Sequence, residues 1–321
     1  MQSSALTSQA DLPVELIERI VQLAVVDGTG RTATALRLTN RYLSKVAEPY
    51  RFYCMAVEGP ERIERLATAI RNASPRARNN CCHLLLSDVS KDTRIELEGR
   101  EIPQHWYEVY FSRNEEANLV MCGLLELLNR TLETLVLAIY DGCSDLHKSV
   151  FHGKTLPELR RLSVHTRTGT FNRYHDKISL PKLSSMRLST ALYFSEMYPQ
   201  SLPFLRAVDA PALTSLSFLY LRPVDALALA QRVLDVDPLR RTKSVREPRH
   251  LPNFQAVTRL VVQVAQAPTQ CILSQAGQER HLEGLRWIAD HLANQARRLE
   301  LIESGPPVPF RVLKEWATGQ D

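Results

Sequence analysis

Glycine is scarce in this 321-residue chain, at 12 positions, against an average usage of roughly 7 %. Loops that cradle phosphates or dinucleotides spend glycines at fixed places. Neither a P-loop nor a GxGxxG motif occurs. The close pair Gly28-Thr29-Gly30 has Ala33 where the dinucleotide motif needs a third glycine. Cysteine is sparse too. Cys54, Cys81, Cys82, Cys122, Cys143 and Cys271 form no CxxC pair, which reads as reduced thiols of a cytoplasmic or nuclear protein. Long apolar runs are missing. The longest, Leu119 to Leu128, is broken by Glu126 and falls short of a bilayer span. Met1 to Ala10 is polar and lacks the apolar centre of a signal peptide, so no membrane association is expected.

Catalytic signatures are likewise missing. His147 and His152 lie five apart beside Asp141, Cys143 and Asp145, a spacing that shares no helical face and matches no zinc motif. In Cys81-Cys82-His83, neighbouring strand residues would face opposite sides, so no nucleophile–base pair forms. No nucleophile elbow, kinase signature or deaminase signature occurs. The sequence therefore predicts a non-enzyme with no cofactor and no metal. The charge balance is mildly basic, with 40 Lys and Arg against 35 Asp and Glu, a formal net charge of +5. That balance permits an acidic partner without demanding nucleic acid. No aromatic-interleaved basic surface of an RNA-binding kind is present. The densest basic run, Arg240 to His250, reads as an exposed insertion loop, with a nuclear-localisation signal as the alternative.

What the chain has in excess is leucine, 47 residues. Its length exceeds the roughly 250–300 residues at which one core stops growing, so two parts or one elongated part are expected. The leucines divide into two uses. The first is helical. Asp11 can cap a helix that starts at Leu12, with Pro13 and Glu15 in its first turn. Leu16, Ile17, Ile20, Val21, Leu23 and Ala24 follow at helical spacing, and Asp27-Gly28 would close the helix. A second apolar pattern runs through Ala35, Leu36, Leu38, Tyr42, Leu43 and Val46. Thr34 and Asn40 can each open a short helix there, and Pro49 ends the run.

Asp11-Leu12-Pro13-Val14-Glu15-Leu16-Ile17-Glu18-Arg19-Ile20 resembles the opening LPxEL…I signature of the F-box family. Ala35 to Leu43 resembles its second block, and Ala47 to Tyr53 is similar to the tail of fungal F-box-like proteins. Tyr42 stands where many members carry tryptophan, and the linker Gly28 to Arg31 replaces the usual acidic-leucine connection. The resemblance implies a three-helix module that docks on the Skp adaptor of a cullin–RING ubiquitin ligase. It implies adaptor contacts from Leu12, Pro13, Leu16, Ile17, Ile20, Leu36, Leu38 and Tyr42.

The second use is strand-like. Apolar-x-apolar cores recur at His83 to Leu86, Leu132 to Leu137, Leu159 to Val164, Leu183 to Leu188, Leu213 to Phe218, Val257 to Val262 and Arg298 to Leu301. Several fit LxxLxL, the strand core of a leucine-rich repeat. Leu-Pro pairs at 156–157, 180–181 and 202–203 precede three of them. Spacings of 27, 24 and 30 separate Leu135, Leu162, Met186 and Leu216, and steps of 44 and 39 then lead to Leu260 and Leu299. Pro60 to Arg71, Leu119 to Leu128 and Leu282 to Gln295 read as helices between strands.

The expected fold is mixed α and β. A tail (1–10) precedes an F-box-like helical module (11–57), followed by an irregular α/β leucine-rich-repeat solenoid with parallel strands (58–321). Its outward residues Glu133, Val136, Arg160, Ser163, Arg187, Ser217, Arg259 and Val261 would line an open concave face. The expected role is a substrate receptor that holds the Skp adaptor and an unidentified target protein. The alternative is a stand-alone leucine-rich scaffold whose N-terminal helices are a cap.

Overall fold

The computed structural model describes residues 12–25, 30–98, 114–140, 151, 155–166, 177–190, 204–236, 254–265, 275–293 and 295–305. Asp11, Asp27, Gly28, the Leu202-Pro203 pair, the 141–150 histidine region and the basic run 240–250 lie outside the described residues.

Eight parallel strands form one sheet, and each pairs with the strand that follows it along the sheet. The order is β1 (Cys54–Glu58), β2 (His83–Ser87), β3 (Thr134–Ile139), β4 (Arg161–Thr166), β6 (Ser185–Thr190), β8 (Ser215–Leu221), β9 (Arg259–Ala265) and β10 (Arg298–Gly305). A second parallel pair, β5 (Ile178–Ser179) and β7 (Val208–Asp209), runs behind it. Thr155 extends this pair through a bridge to Ser179. The protein is thus mixed α/β with a parallel sheet, as the recurring strand pieces predict.

The register explains why the leucines recur. Met55, Leu84, Leu135, Leu162, Met186, Leu216, Leu260 and Leu299 stand side by side in one row, and Val57, Leu86, Leu137, Val164, Leu188, Phe218, Val262 and Leu301 in another. Strand side chains alternate between faces, so both rows point to the same side and build the main core. Helices α4 (Pro60–Arg71), α7 (Asn114–Leu128), α8 (Pro223–Leu234) and α9 (Gln275–Leu292) cover that side with Ile63, Ile70, Met121, Leu125, Ala226, Leu229, Leu285 and Ile288. Between β3 and β8 the β5–β7 pair packs on the same side, with Ile178 and Val208 in the main core. The 44- and 39-residue steps are long because each carries a whole helix, α8 and α9.

β3, β4, β6, β8 and β9 begin two residues later than the LxxLxL reading placed them, whereas β2 and β10 begin at His83 and Arg298 as read. Ahead of β4, β6, β8 and β9 the first apolar residue belongs to a tight turn instead. Leu159, Leu183, Leu213 and Val257 donate their N–H to the carbonyls of Leu156, Leu180, Ala210 and Phe254. Proline follows the accepting residue at Pro157, Pro181 and Pro211, where its fixed φ suits such a turn. Among the described residues the third proline turn is Ala210-Pro211, 30 residues after Leu180-Pro181.

One carbonyl per strand entry takes two N–H groups from the next strand entry. Cys82 and His83 donate to Tyr53 O, Glu133 and Thr134 to Cys82 O, and Arg160 and Arg161 to Glu133 O. The pattern repeats at Arg160 O, Ser184 O and Thr214 O. Hydroxyls of Ser184, Thr214 and Thr258 donate to the same carbonyls at 3.1–3.3 Å.

The face away from the helices differs from the open concave surface expected of it. Val136 and Ser163 are wholly buried and Val261 is 7 % exposed. Leu85, Val136, Ala138, Tyr140, Val89 and Leu219 form a second apolar cluster there. Strands buried on both faces read as continuous apolar runs, and Leu135-Val136-Leu137-Ala138-Ile139 is one. Glu133 and Arg187 are half-buried, Ser217 is partly open, and Arg160 and Arg259 are exposed.

Candidate functional site

The N-terminal helices are α1 (Val14–Ala24), α2 (Arg31–Thr39) and α3 (Arg41–Ala47), followed by a 3₁₀ turn, Glu48–Tyr50. Pro13 precedes the first turn of α1 and Glu15 sits within it, where a carboxylate favours the positive helix end. Asn40 caps α3, accepting from Leu43 N–H at 2.8 Å.

These helices have a small core of their own, built from Ile17, Val21, Val25, Ala33, Leu43, Val46 and Ala47. Leu36, Tyr50 and Tyr53 pack against it. It is distinct from both sheet clusters. Two faces of α1 therefore have different fates. Ile17, Val21 and Val25 turn inward. Leu12, Val14, Leu16, Ile20 and Leu23 are exposed, with Leu16 at 52 % and Ile20 at 55 %. Leu16, Ile20 and Leu23 repeat at the i, i+4, i+7 spacing of one helical stripe.

Of the residues the F-box resemblance singles out, Leu12, Pro13, Leu16, Ile20, Leu38 and Tyr42 are exposed. Leu38, at 82 %, is the most open large apolar side chain described. Leu36 is half-buried against the helical core, and Ile17 at 7 % exposure belongs to that core. Ile17 thus supports the stripe from beneath. The pattern of the sequence could not separate Leu16 from Ile17, because both fit a wide apolar stripe. Leu23, which the motif does not include, extends the exposed row.

The helices are seated on the first edge of the sheet. Gly30, in the left-handed region at φ +66°, lies so close to β1 that an added Cβ would stand 2.9 Å from Met55 Sδ. Glu18 on α1 pairs with Arg76 at 3.1 Å. Arg37 and Arg51 both pair with Glu48, at 2.9 and 3.1 Å. The Arg51 guanidinium also lies 4.3 Å from the centre of the Phe52 ring. The Tyr53 ring meets His83 edge-on at 5.2 Å. Burial raises the Tyr53 phenol above its usual range, with nearby Cys82 and Glu133 adding to it and a hydrogen bond to Gln22 opposing it.

Two histidines sit inside the sheet region. His83 Nδ1 is 3.1 Å from Thr134 Oγ1, and His165 Nδ1 is 2.9 Å from Ser189 Oγ. Burial lowers both to about 4, with the Arg161 charge assisting at His83, so both rings are neutral at pH 7. Burial also raises the Cys81 thiol, and pushes Cys82 up to about 12. Such thiols are poor nucleophiles.

Among the described residues, no group of three or more His, Cys, Asp or Glu side chains could hold a metal ion. No described helix is long and apolar enough to cross a membrane. What the site offers is an exposed apolar stripe beside the first edge of a parallel sheet. No family model, no curated protein and no solved structure matches the chain.

Proposed function

We propose that the chain is a substrate-receptor subunit of a cullin–RING ubiquitin ligase. In this reading α1–α3 are an F-box-like module that docks on a Skp-type adaptor. The parallel sheet with its covering helices is an irregular leucine-rich-repeat solenoid that presents a target protein. The receptor catalyses nothing. It raises the effective concentration of its target near the transfer machinery.

The observation that carries the reading is the exposure of Leu12, Leu16 and Ile20 at α1, and of Leu38 and Tyr42 on α2 and α3, on helices that already own a closed core. Covering a half-exposed Leu or Ile recovers about 1 kcal/mol, so this stripe can supply several kcal/mol to a complex. A stand-alone scaffold, with the helices as a cap, would instead turn Leu16 and Ile20 onto the sheet.

The test is co-purification of the full chain with a Skp-type adaptor, beside a known F-box protein as control. Wild type is expected to retain the adaptor, and Leu16→Asp to lose it while keeping a wild-type circular dichroism spectrum. If the control binds and wild type does not, the reading is wrong.

A further inference from the structure

From Leu66 to Ser87 the chain holds no Asp or Glu and three arginines, Arg71, Arg76 and Arg78. All three lie within four residues of Ser74. Ser74 precedes Pro75, and among the 18 prolines no other follows a serine or threonine.

Ser74 is exposed between α4 and the one-turn helix α5 (Pro75–Arg78). Its backbone is extended, at φ −58° and ψ 147°, as the residue before a proline tends to be. Its Oγ accepts the Ala77 N–H at 3.2 Å, which leaves the hydroxyl's own proton free to leave. An extended serine ahead of a proline, with cations downstream, is a pattern that a proline-directed kinase reads by charge and backbone shape.

The surroundings would also feel the product. Arg76 Nη2 stands 3.1 Å from Glu18 Oε1 and so joins α1 to this turn. Both side chains meet water, and exposed pairs of this kind are weak. Among the described residues neither Arg71 nor Arg78 holds a carboxylate. A phosphate on Ser74 carries a charge of about −1.5 to −2 and three acceptor oxygens. Guanidinium groups take phosphate in a bidentate fork, so the phosphate competes for Arg76 with more charge than Glu18 has.

We infer that Ser74 is a phosphorylation site for a proline-directed Ser/Thr kinase, and that its phosphate draws Arg76 from Glu18 and loosens α1. In the transfer, Ser74 Oγ bonds to the γ-phosphorus of ATP and the bond from that phosphorus to the bridging oxygen breaks. ADP leaves, and the hydroxyl proton passes to the kinase's catalytic base. The inference does not rest on adaptor docking, and its test uses no adaptor.

For the test, the full chain is incubated with a cyclin-dependent kinase and Mg²⁺–ATP, and its phosphopeptides are mapped by mass spectrometry. One phosphate, on Ser74, is expected. Hydrogen exchange then compares the two forms. Amides of Val14–Ala24 are expected to exchange about twofold to fivefold faster once Ser74 is phosphorylated. In Glu18→Gln the unmodified chain should already exchange at the faster rate, and phosphorylation should add nothing. No phosphate on Ser74, or phosphate spread equally over other serines, overturns the site. Unchanged α1 exchange in the phosphorylated chain, or the same acceleration in Glu18→Gln, overturns the link through Arg76.

Discussion

The buried histidines make stability depend on pH in a defined window. His165 is fully enclosed, with Ser189 Oγ at 2.9 Å and the Tyr140 ring centre at 5.7 Å. Burial alone holds it near 4 against an ordinary 6.5. A base whose folded pKa is depressed is protonated more readily in the unfolded chain. Its contribution to stability is complete above pH 6.5, falls as pH drops, and levels off below about 4. Between pH 7 and pH 5 the unfolded histidine gains a proton that the folded one refuses, at a cost of about 2 kcal/mol. His83, depressed in the same direction to about 4, adds up to a similar amount. Ordinary carboxylates titrate mostly below pH 5, so the window is largely free of them. Urea midpoints at pH 7 and pH 5 measure the effect. Wild type is expected to lose about 3–4 kcal/mol, and His165→Gln, which keeps a polar partner for Ser189 without titrating, about 2 kcal/mol less than that. An identical pH loss in His165→Gln would refute the reasoning.

Other perturbations separate the parts of the molecule. Ile17→Asp places a carboxylate in the helical core and should cost about 3 kcal/mol or more, whereas Leu16→Asp should cost under about 1 kcal/mol; denaturant titration compares them. Gly30→Val forces a β-branched residue to a positive φ against Met55 and should destabilise by about 2 kcal/mol, read as an earlier loss of protection in the α1–α3 amides by hydrogen exchange. Leu162→Ala removes a fully buried side chain from the leucine row and should cost about 3 kcal/mol in a melting experiment. Cys81 and Cys82 should resist iodoacetamide at pH 8 in the folded protein and react promptly in urea, as mass spectrometry would report.

Much of the sheet is legible in the sequence because its leucine rows repeat a short spacing that only strands in register satisfy. The helix at Pro60–Arg71 is equally plain, with proline at its first position and an apolar stripe behind. β1 is harder to see. Its inward pair is Met55 and Val57, without the leucines that mark later strands, and it follows directly on the helical module. The two-residue strands β5 and β7 are too short to show any periodicity. Helix α8 did carry a signal, Pro223 at its start and Ala226, Leu229, Ala230, Val233 and Leu234 at helical spacing, inside what otherwise reads as an irregular gap. On α1, which of Leu16 and Ile17 faces out is decided by how the helix rests on α3. That is a tertiary contact, and local spacing does not encode it. Burial of Val136 and Ser163 is likewise a property of what lies over the sheet.

The paired N–H donation at Tyr53, Cys82, Glu133, Arg160, Ser184 and Thr214 has an evolutionary corollary. Each strand entry from β2 to β9 is fixed to the one before it by the same local joint, yet the chain between joints runs from 24 residues (160 to 184) to 51 (82 to 133). Length can be gained or lost between strands without disturbing the spacing of their entries. A lineage of such chains can therefore drift in its connections while holding the row of entries as a ruler of constant pitch.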